Sequence, residues 1–393
     1  MRAVTWQGKR NVSVDTVPDP TIQEPTDAII RVTSTNICGS DLHLYETLAA
    51  FMGEGDIMGH EPMGIVEEVG GEVTAIKAGD RVVIPFQMSC GTCFMCHQKL
   101  YSQCETTQVR DQGTGAALFG FSKLYGEVPG GQAEFLRVPQ AQTTHIKVPE
   151  GPVDDRFVYL SDVLPTAWQS VVYAGIPKGG TVTVLGLGPI GDMAARIAQH
   201  QGFRAIAVDL VPERLQRARD RGIETIDLND HADDLGDVIR EMTEGRGTDS
   251  VIDAVGMEAH GSPGAKLVQT VAGMLPDALA APLNKTAGVD RMAALYSAID
   301  IVRRGGTVSV IGVYAGAADP TPWVTMFDKQ IQFRMGQANV LHWVDDIMPL
   351  LSDADPLGVE TFATHHLPLD DAPHGYDIFQ KKLDGAVKVV LRP

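Results

Sequence analysis

The stretch Thr181–Asp209, TVTVLGLGPIGDMAARIAQHQGFRAIAVD, decides the fold of this chain. An apolar strand runs into a glycine turn, the turn opens a helix with apolar residues at helical spacing, and a second apolar strand follows. The glycines stand where a pyrophosphate can meet the amino terminus of the helix. The candidate cofactor-binding residues of this turn are Gly186, Gly188, Pro189, Ile190 and Gly191. The pattern predicts a dinucleotide-binding domain with a doubly wound parallel sheet.

The acid at the end of the second strand indicates which dinucleotide binds. Asp209 lies 18 residues after Gly191, where a carboxylate accepts hydrogen bonds from a ribose 2′-hydroxyl and repels a 2′-phosphate. NAD is therefore favoured over NADP. Arg214 lies near enough to Asp209 to accept a 2′-phosphate, which keeps NADP as an alternative. A glycine turn that serves backbone geometry alone is the non-functional interpretation.

The sequence on either side of this unit divides the chain into a β-rich part and an α/β part. Strands are predicted at RAVTW, DAIIRVTSTNI, GIVEEVG, DRVVIPF and AEFLRVP, each bounded by glycine, proline or aspartate. Farther on, RLQRARDRG and LYSAIDIVRRGG predict helices, whereas DSVIDAVG and TVSVIGVY predict strands. The final segments THHLPL and AVKVVLRP resemble pieces that return to the first domain. We expect domains at residues 1–164 and 165–339, with 340–393 rejoining the first.

Four of the five cysteines fall within fifteen residues, in CGTCFMCHQKLYSQC. They are Cys90, Cys93, Cys96 and Cys104. This spacing lets four thiolates converge on one tetrahedral Zn²⁺ with no position left for water, which is typical of a structural site. His97 lies within the same segment, but four thiolates already complete a tetrahedron, so we expect an exposed loop histidine there.

The fifth cysteine, Cys38, has partners of the kind that hold a catalytic zinc. His60 and Glu61 follow it in GHEP, and such a site needs about three protein ligands and one exchangeable position. Asp162, just before the dinucleotide domain, is the candidate third ligand, although an aspartate before an apolar helix is often only an N-cap. Glu61 is a fourth ligand or a neighbour of the metal. The chain is thus predicted to carry two zinc ions.

Composition limits the classes of function. The chain has 393 residues, 44% of them hydrophobic, and a net charge of −18. That charge repels phosphate backbones and anionic lipid, so neither nucleic-acid nor membrane binding is expected. A cysteine lobe acting as a zinc ribbon for nucleic acid is the non-enzymatic alternative, and the acidity argues against it. With no apolar signal segment and no disulfide-like cysteine pattern, we expect a soluble cytoplasmic protein.

Several motifs together resemble the zinc-containing medium-chain alcohol dehydrogenase family. CGSDLH, GHEPMG, the four-cysteine segment, GLGPIG and VVLRP occur in the family's order, and the resemblance spans essentially the whole chain. It implies a GroES-like β-rich catalytic domain with both zinc sites, joined to a Rossmann NAD-binding domain. By this similarity Cys38, His60 and Asp162 hold the catalytic zinc, with Glu61 close by. A liver-type relative usually has cysteine where this chain has Asp162.

Two features resemble the glutathione-independent formaldehyde dehydrogenase branch of that family. One is Asp162 as a ligand, and the other is the long stretch 257–297 between DAVG and AIDIVRRGG. The segment MGQANV resembles a cofactor-contacting element and contributes Gln337 and Asn339. Lys388 matches a position where the family commonly has a basic residue facing the pyrophosphate; a surface lysine is the alternative.

The resemblance also implies a reaction. Hydride would pass from a small alcohol or a formaldehyde-like aldehyde hydrate to NAD, while Ser40 takes the hydroxyl proton and hands it through the cofactor ribose to His43. Asp41 is expected to orient His60. A polyol or secondary-alcohol dehydrogenase is the alternative enzyme, and Phe86 and Phe119 are among the candidate pocket residues. The family also implies a homo-oligomer, with a tetramer favoured over a dimer.

Overall fold

The computed structural model describes residues 1–46, 48–256, 292–314 and 321–393. Most of the predicted insertion, residues 257–291, lies outside these described residues. The chain forms two compact units, Met1–Thr166 with Ala338–Pro393, and Ala167–Gln337. Sequence alone placed the corresponding divisions after residues 164 and 339. Among the described helices, none has the length and apolar character needed to cross a membrane.

The strands of both units were largely visible as apolar or alternating segments. In chain order they are β1 (Arg2–Gly8), β2 (Asn11–Thr16), β3 (Ala28–Ile37), β4 (Pro62–Val69), β5 (Arg81–Val83), β6 (Phe135–Val138), β7 (Ile146–Lys147), β8 (Thr181–Leu185), β9 (Arg204–Asp209), β10 (Glu224–Asp227), β11 (Thr248–Asp253), β12 (Val302–Val310), β13 (Gln332–Met335), β14 (His365–Pro368) and β15 (Val389–Arg392).

The helices of the described residues occur mainly in the second unit. In chain order they are α1 (Gly39–Glu46), α2 (Phe94–His97), α3 (Val163–Ala174), α4 (Pro189–His200), α5 (Pro212–Arg219), α6 (Leu235–Met242), α7 (Ala293–Ile301), α8 (Trp323–Lys329), α9 (Val340–Ile347) and α10 (Ala372–Lys381).

The first unit is built around β3. Its main sheet has the order β14-β15-β3-β4-β5-β7, with β6 also paired to β3, and β1 and β2 form a separate hairpin. The carboxyl-terminal strand β15 pairs antiparallel with β3, so the end of the chain belongs to the first unit. Ile30, Val32, Val66 and Ile84 contribute to a buried core, alternating with more polar positions along the strands.

The second unit is a six-stranded parallel sheet in the order β10-β9-β8-β11-β12-β13. The central strand β8 is buried at four of its five positions because helices cover both faces of a parallel sheet. Helices α6 and α7 pack against its core through residues including Leu235, Ile239, Ala298 and Ile301. The predicted fold class, a β-rich unit joined to a doubly wound α/β unit, is confirmed.

One element boundary was predicted wrongly. LYSAIDIVRRGG was assigned to a helix, but α7 ends at Ile301 and the VRRGG segment already belongs to β12. Val302 pairs with Thr248 of β11, and Gly305 has a φ of 69°. A β-branched residue followed by two glycines favours extended or turn backbone over helix, and sheet pairing then fixes the extended form.

Close contact between β3 and β4 makes Gly64 a test of this sheet. A Cβ at Gly64 would lie 2.0 Å from the carbonyl oxygen of Arg31, whereas a Cβ at the exposed Gly71 would meet nothing within 4 Å. We expect Gly64→Ala to destabilise the protein by about 1–3 kcal/mol through overpacking, and Gly71→Ala to have little effect. Thermal unfolding of both variants measures this; equal midpoints would contradict the described β3–β4 approach.

Candidate metal centres and cofactor-binding loop

The register of β3 with β4 brings together three of the four residues of the first metal centre. Thr35 of β3 pairs with Pro62 of β4, so the residues just after β3 meet those just before β4. Cys38 follows β3 directly, and His60 and Glu61 precede β4. Asp162 ends a 3₁₀ turn and immediately precedes α3. All four side chains are buried, and one ligand atom from each lies within 4.8 Å of the others.

Distances within this cluster fit zinc. Asp162 Oδ2 lies 3.6 Å from Cys38 Sγ and 3.3 Å from His60 Nε2. Around a tetrahedral zinc with bonds of about 2.3 Å to sulfur and about 2.1 Å to nitrogen or oxygen, these separations would be about 3.6 Å and about 3.4 Å. The distances from Asp162 Oδ2 to the ligand atoms of Cys38 and His60 thus match those expected around one zinc ion.

Asp41 contacts both Cys38 and His60, and it was predicted from the sequence to orient His60. Its Oδ1 lies 3.0 Å from His60 Nδ1, and its Oδ2 accepts a hydrogen bond from the Cys38 backbone N–H at 2.9 Å. Gln132 Nε2 donates to the same Oδ2 at 3.1 Å. With Nδ1–H directed at Asp41, Nε2 of His60 is the nitrogen left to face a metal.

Electrostatics show what a metal would displace. Burial, strengthened by the charges of Glu61 and Asp162, raises the pKa of the Cys38 thiol to about 12. Burial would lower the pKa of His60, but the charge of Asp41 and the hydrogen bond to Asp162 raise it well above its ordinary value. Both shifts favour the protonated forms of Cys38 and His60 when no cation is bound, and zinc binding must displace these protons. Burial would raise the pKa of Asp162, but its hydrogen bond to His60 lowers it, so this ligand stays a carboxylate.

The two carboxylates of the cluster have different partners. Both oxygens of Glu61 accept hydrogen bonds from Lys388 Nζ, at 2.8 and 2.6 Å, and Oε2 also accepts from Asn36 Nδ2 at 2.6 Å. Asp162 instead directs Oδ2 toward Cys38 and His60, while Oδ1 accepts from the Thr166 hydroxyl at 2.5 Å. Asp162 thus offers the better-placed oxygen.

The structure corrects the prediction for Lys388. Its side chain is fully buried and its ammonium is held by Glu61, so it is neither a surface lysine nor available to a cofactor pyrophosphate. Burial would lower the pKa of Lys388, but the Glu61 charge outweighs it and raises that pKa. Because Val389 pairs with Ile37, the antiparallel register of β15 and β3 places Lys388 opposite Cys38.

The four-cysteine segment forms a second, separate cluster. Its four sulfurs lie within 4.8 Å of one another, and Cys93 Sγ and Cys104 Sγ are 3.9 Å apart. Two sulfurs on a tetrahedral zinc would be about 3.8 Å apart. Burial would raise the pKa of Cys90, but hydrogen bonds from Thr106 and Thr92 lower it to about 6, which favours the thiolate that zinc requires. His97 is exposed, as expected.

Asn339 has a role that differs from the predicted one. It is buried, and its Oδ1 accepts hydrogen bonds at 3.0 Å from both the backbone N–H and the hydroxyl of Ser102. Its carboxamide oxygen therefore anchors the four-cysteine segment, and the cofactor contact of Asn339 stays a prediction. Gln337 is half-buried, and its backbone carbonyl accepts from Gln169 at 3.1 Å; its cofactor role stays a prediction.

The glycine loop lies between β8 and α4 as predicted. Gly186 has a φ of 83°, and a Cβ at Gly191 would lie 1.8 Å from the Gly186 carbonyl oxygen. Pro189 and Ile190 form the first turn of α4, whose free N–H groups favour an anion. The sequence pattern predicted a tight turn between a strand and a helix at these positions, and the structure has this turn.

Asp209 also supports the loop directly. Its Oδ2 accepts from the Leu187 N–H at 2.5 Å, and its Oδ1 accepts from the backbone N–H groups of Leu210 and Val211. Arg214 Nη1 is 3.9 Å from the same carboxylate. Besides its predicted role toward a ribose, Asp209 therefore holds the backbone of the glycine loop.

The proposed proton-relay residues share a helix. Ser40 and His43 are three residues apart in α1 and both are partly exposed, so their side chains lie on neighbouring positions of one face. Asp41, between them, is buried toward the metal centre. This arrangement is compatible with the predicted relay.

Three residues of the site escaped the sequence analysis. The first is Phe121, which packs edge-on against His60 with ring centres 5.6 Å apart. Of the two phenylalanines that were predicted to line the pocket, Phe86 packs against His60 in the same way at 6.3 Å, whereas Phe119 lies in the core. Gln132 and Thr166 support Asp41 and Asp162. Only Thr166 had a usable signal, because it follows Asp162 by one helical turn.

Comparisons with known proteins agree with this geometry. Residues 24–150 match the alcohol dehydrogenase GroES-like domain, and 189–270 match the zinc-binding dehydrogenase domain. The chain is 45% identical to an uncharacterized zinc-type alcohol dehydrogenase-like protein, AdhB, of Bacillus subtilis, over the full length of both. It is 33% identical to a glutathione-independent formaldehyde dehydrogenase of Pseudomonas aeruginosa, covering 96% of this chain and 94% of the relative.

A solved structure gives the same result. Alcohol dehydrogenase TADH from Thermus sp. ATN1 superposes with a TM-score of 0.81 at 34% identity, covering 100% of this chain and 99% of the other. The match therefore covers both units of this chain. This chain therefore belongs to the zinc-containing medium-chain alcohol dehydrogenase family.

Proposed function

We propose that the protein is an NAD-dependent dehydrogenase that oxidises small alcohols and aldehyde hydrates, with formaldehyde as the favoured substrate. The observation that carries the proposal is the Cys38, His60 and Asp162 cluster at zinc-like separations. The relative named as a glutathione-independent formaldehyde dehydrogenase supports the substrate class. A hydrated aldehyde presents a hydroxyl and a C–H bond like an alcohol, so one site serves both substrates.

Residues of the chain divide the work of the reaction. A zinc ion held by Cys38, His60 and Asp162 would supply Lewis acidity that makes the substrate hydroxyl easier to deprotonate. Ser40 would accept that proton and His43 would pass it to solvent. Asp41 keeps His60 in the tautomer whose Nε2 faces the metal position.

The rings beside His60 favour a small substrate. Phe86 and Phe121 present apolar edges to the imidazole. A polyol carries several hydroxyls that lose hydrogen bonds to water unless the site replaces them, and these two rings offer no such partners. Formaldehyde hydrate has a single carbon and only two hydroxyls, so it leaves fewer such groups without a partner.

NAD is the proposed cofactor because Asp209 stands at the end of β9. The carboxylate is fixed by three backbone N–H groups, so its charge stays at the position where a 2′-phosphate would lie. Arg214 forms an ion pair with that carboxylate, so its guanidinium is less available to bind a 2′-phosphate.

The first experiment compares cofactors and substrates by kinetics. We expect protein purified without added nucleotide to reduce NAD, and NADP poorly, with formaldehyde preferred over ethanol and a polyol and with no need for glutathione. The appearance of NADH by absorbance measures this. Preference for a polyol or a branched secondary alcohol would contradict the proposed substrate and favour the alternative enzyme.

A glycine variant provides the cofactor control. A Cβ at Gly188 meets only Arg214 Nη1, at 3.9 Å, so Gly188→Ala should fold normally but hinder approach of the pyrophosphate. We expect KM for NAD to rise about tenfold, equivalent to about 1.4 kcal/mol, with zinc content unchanged.

We also propose two zinc ions per chain. Removing one ligand of the four-cysteine cluster tests this number, because only the ion of that cluster should be lost. Cys104 is fully buried, and its sulfur accepts from the Cys90 N–H at 3.3 Å. We expect Cys104→Ser to lower zinc from two to one per chain and to lower the thermal midpoint, because a structural site contributes to folding. His97→Ala, in the same segment, should retain both ions. Elemental analysis decides; unchanged zinc in the serine variant would refute the four-thiolate site.

We further propose that the protein is a homo-oligomer, a tetramer, with contacts that include the β13 edge. Over the described residues β13 is the last strand of its sheet, and α8 beside it in sequence exposes Trp323, Val324 and Phe327, the last 87% exposed. An open strand edge next to exposed apolar side chains is the kind of surface that pairs with a second copy.

Light scattering after gel filtration tests the oligomer. We expect Phe327→Glu to reduce the mass to that of a smaller species, because a charge would be buried at the contact. Val153→Glu, at an exposed apolar position of the first unit, is the matched control. An unchanged mass for the Phe327 variant would place the contact elsewhere.

A further inference from the structure

The start of α3 leaves one oxygen of Asp162 in need of a donor. Asp162 caps the helix through its backbone carbonyl, which accepts from the Thr166 N–H at 2.9 Å. A capping carboxylate usually accepts from the backbone N–H two or three positions on. Here the third position is Pro165, which has no N–H. The usual donor at that position is therefore missing.

Thr166 supplies the donor. Its hydroxyl lies 2.5 Å from Asp162 Oδ1, and both side chains are buried, with Thr166 only 9% exposed. The residues are four apart, which places them on the same face of the first helical turn. In this orientation Oδ2 is the oxygen that faces Cys38 Sγ and His60 Nε2.

The different roles of the two Asp162 oxygens affect how this carboxylate can coordinate zinc. A catalytic zinc site has three protein ligands and one exchangeable position, and a carboxylate can bind through one oxygen or two. Two-oxygen binding by Asp162 would occupy the position that substrate needs. A hydroxyl that holds Oδ1 opposes this, because the hydrogen bond must break before Oδ1 can turn to the metal.

We propose that Thr166 is a positioning residue that keeps Asp162 a one-oxygen zinc ligand and so keeps the exchangeable position open for substrate. This inference rests on the proposed function, since it requires a catalytic zinc. It concerns a side chain that acts through Asp162 and need not touch substrate. A cysteine ligand at position 162 would have no second atom to restrain, so the role is specific to an aspartate site.

Crystal structures of zinc-loaded wild type, Thr166→Val and Thr166→Ser test the proposal. Valine matches threonine in shape without the hydroxyl, and serine retains the donor. In wild type we expect one Asp162 oxygen at about 2.0–2.2 Å from zinc and the other on Thr166. In the valine variant we expect both oxygens to approach zinc and kcat/KM to fall about 10–100-fold, with serine restoring both.

A cobalt-substituted protein gives an independent reading. Visible absorption of cobalt weakens as coordination rises from four to five, so we expect weaker absorption for Thr166→Val, and for Thr166→Ala should the valine variant not fold. One-oxygen binding in these variants, with unchanged absorption, would overturn the proposal alone. Absence of metal from the wild-type cluster would overturn the proposed function as well.

Discussion

The antiparallel register of β3 with its two neighbours governs the chemistry of this protein. Pairing with β4 brings His60 and Glu61 beside the end of β3, and pairing with β15 brings Lys388 to the same end. A shift of one residue in either pairing would turn the affected side chains to the other face of the sheet. The metal-ligand cluster is therefore a product of sheet register, with α3 adding Asp162 from outside the sheet.

Two carboxylates in one buried cluster repel each other, and each is stabilised by different partners. Glu61 is neutralised by Lys388, whereas Asp162 faces His60 and Cys38. Removing only Lys388 would leave Glu61 as an uncompensated buried charge, which is costly. The pairing thus allows an extra acid to lie near the ligands without competing with Asp162 for the same metal position.

Sequence alone predicted the fold class, the glycine loop and the four-cysteine segment, because these depend on local patterns, whereas Asp162 was assigned to Cys38 and His60 mainly through the family resemblance. Cys90 to Cys104 lie within one short segment, and Gly186 to Gly191 form one turn. Lys388 was misassigned since its partner Glu61 is 327 residues away and is found only through strand register. The anchoring role of Asn339 was missed for the same reason, as Ser102 is 237 residues distant. Residues 257–291, which suggested the substrate branch, lie outside the described part of the chain.

The Asp41 carboxylate has a consequence for how the protein matures. It joins the backbone of Cys38 to the ring of His60 by contacts that involve no metal. The four-cysteine segment has only a four-residue α-helix of its own, so it would depend far more on a bound ion. We therefore expect the two centres to load in a different order, the four-cysteine segment as it folds and the β3 centre after folding. Under zinc limitation, a folded chain with an empty β3 centre would then accumulate.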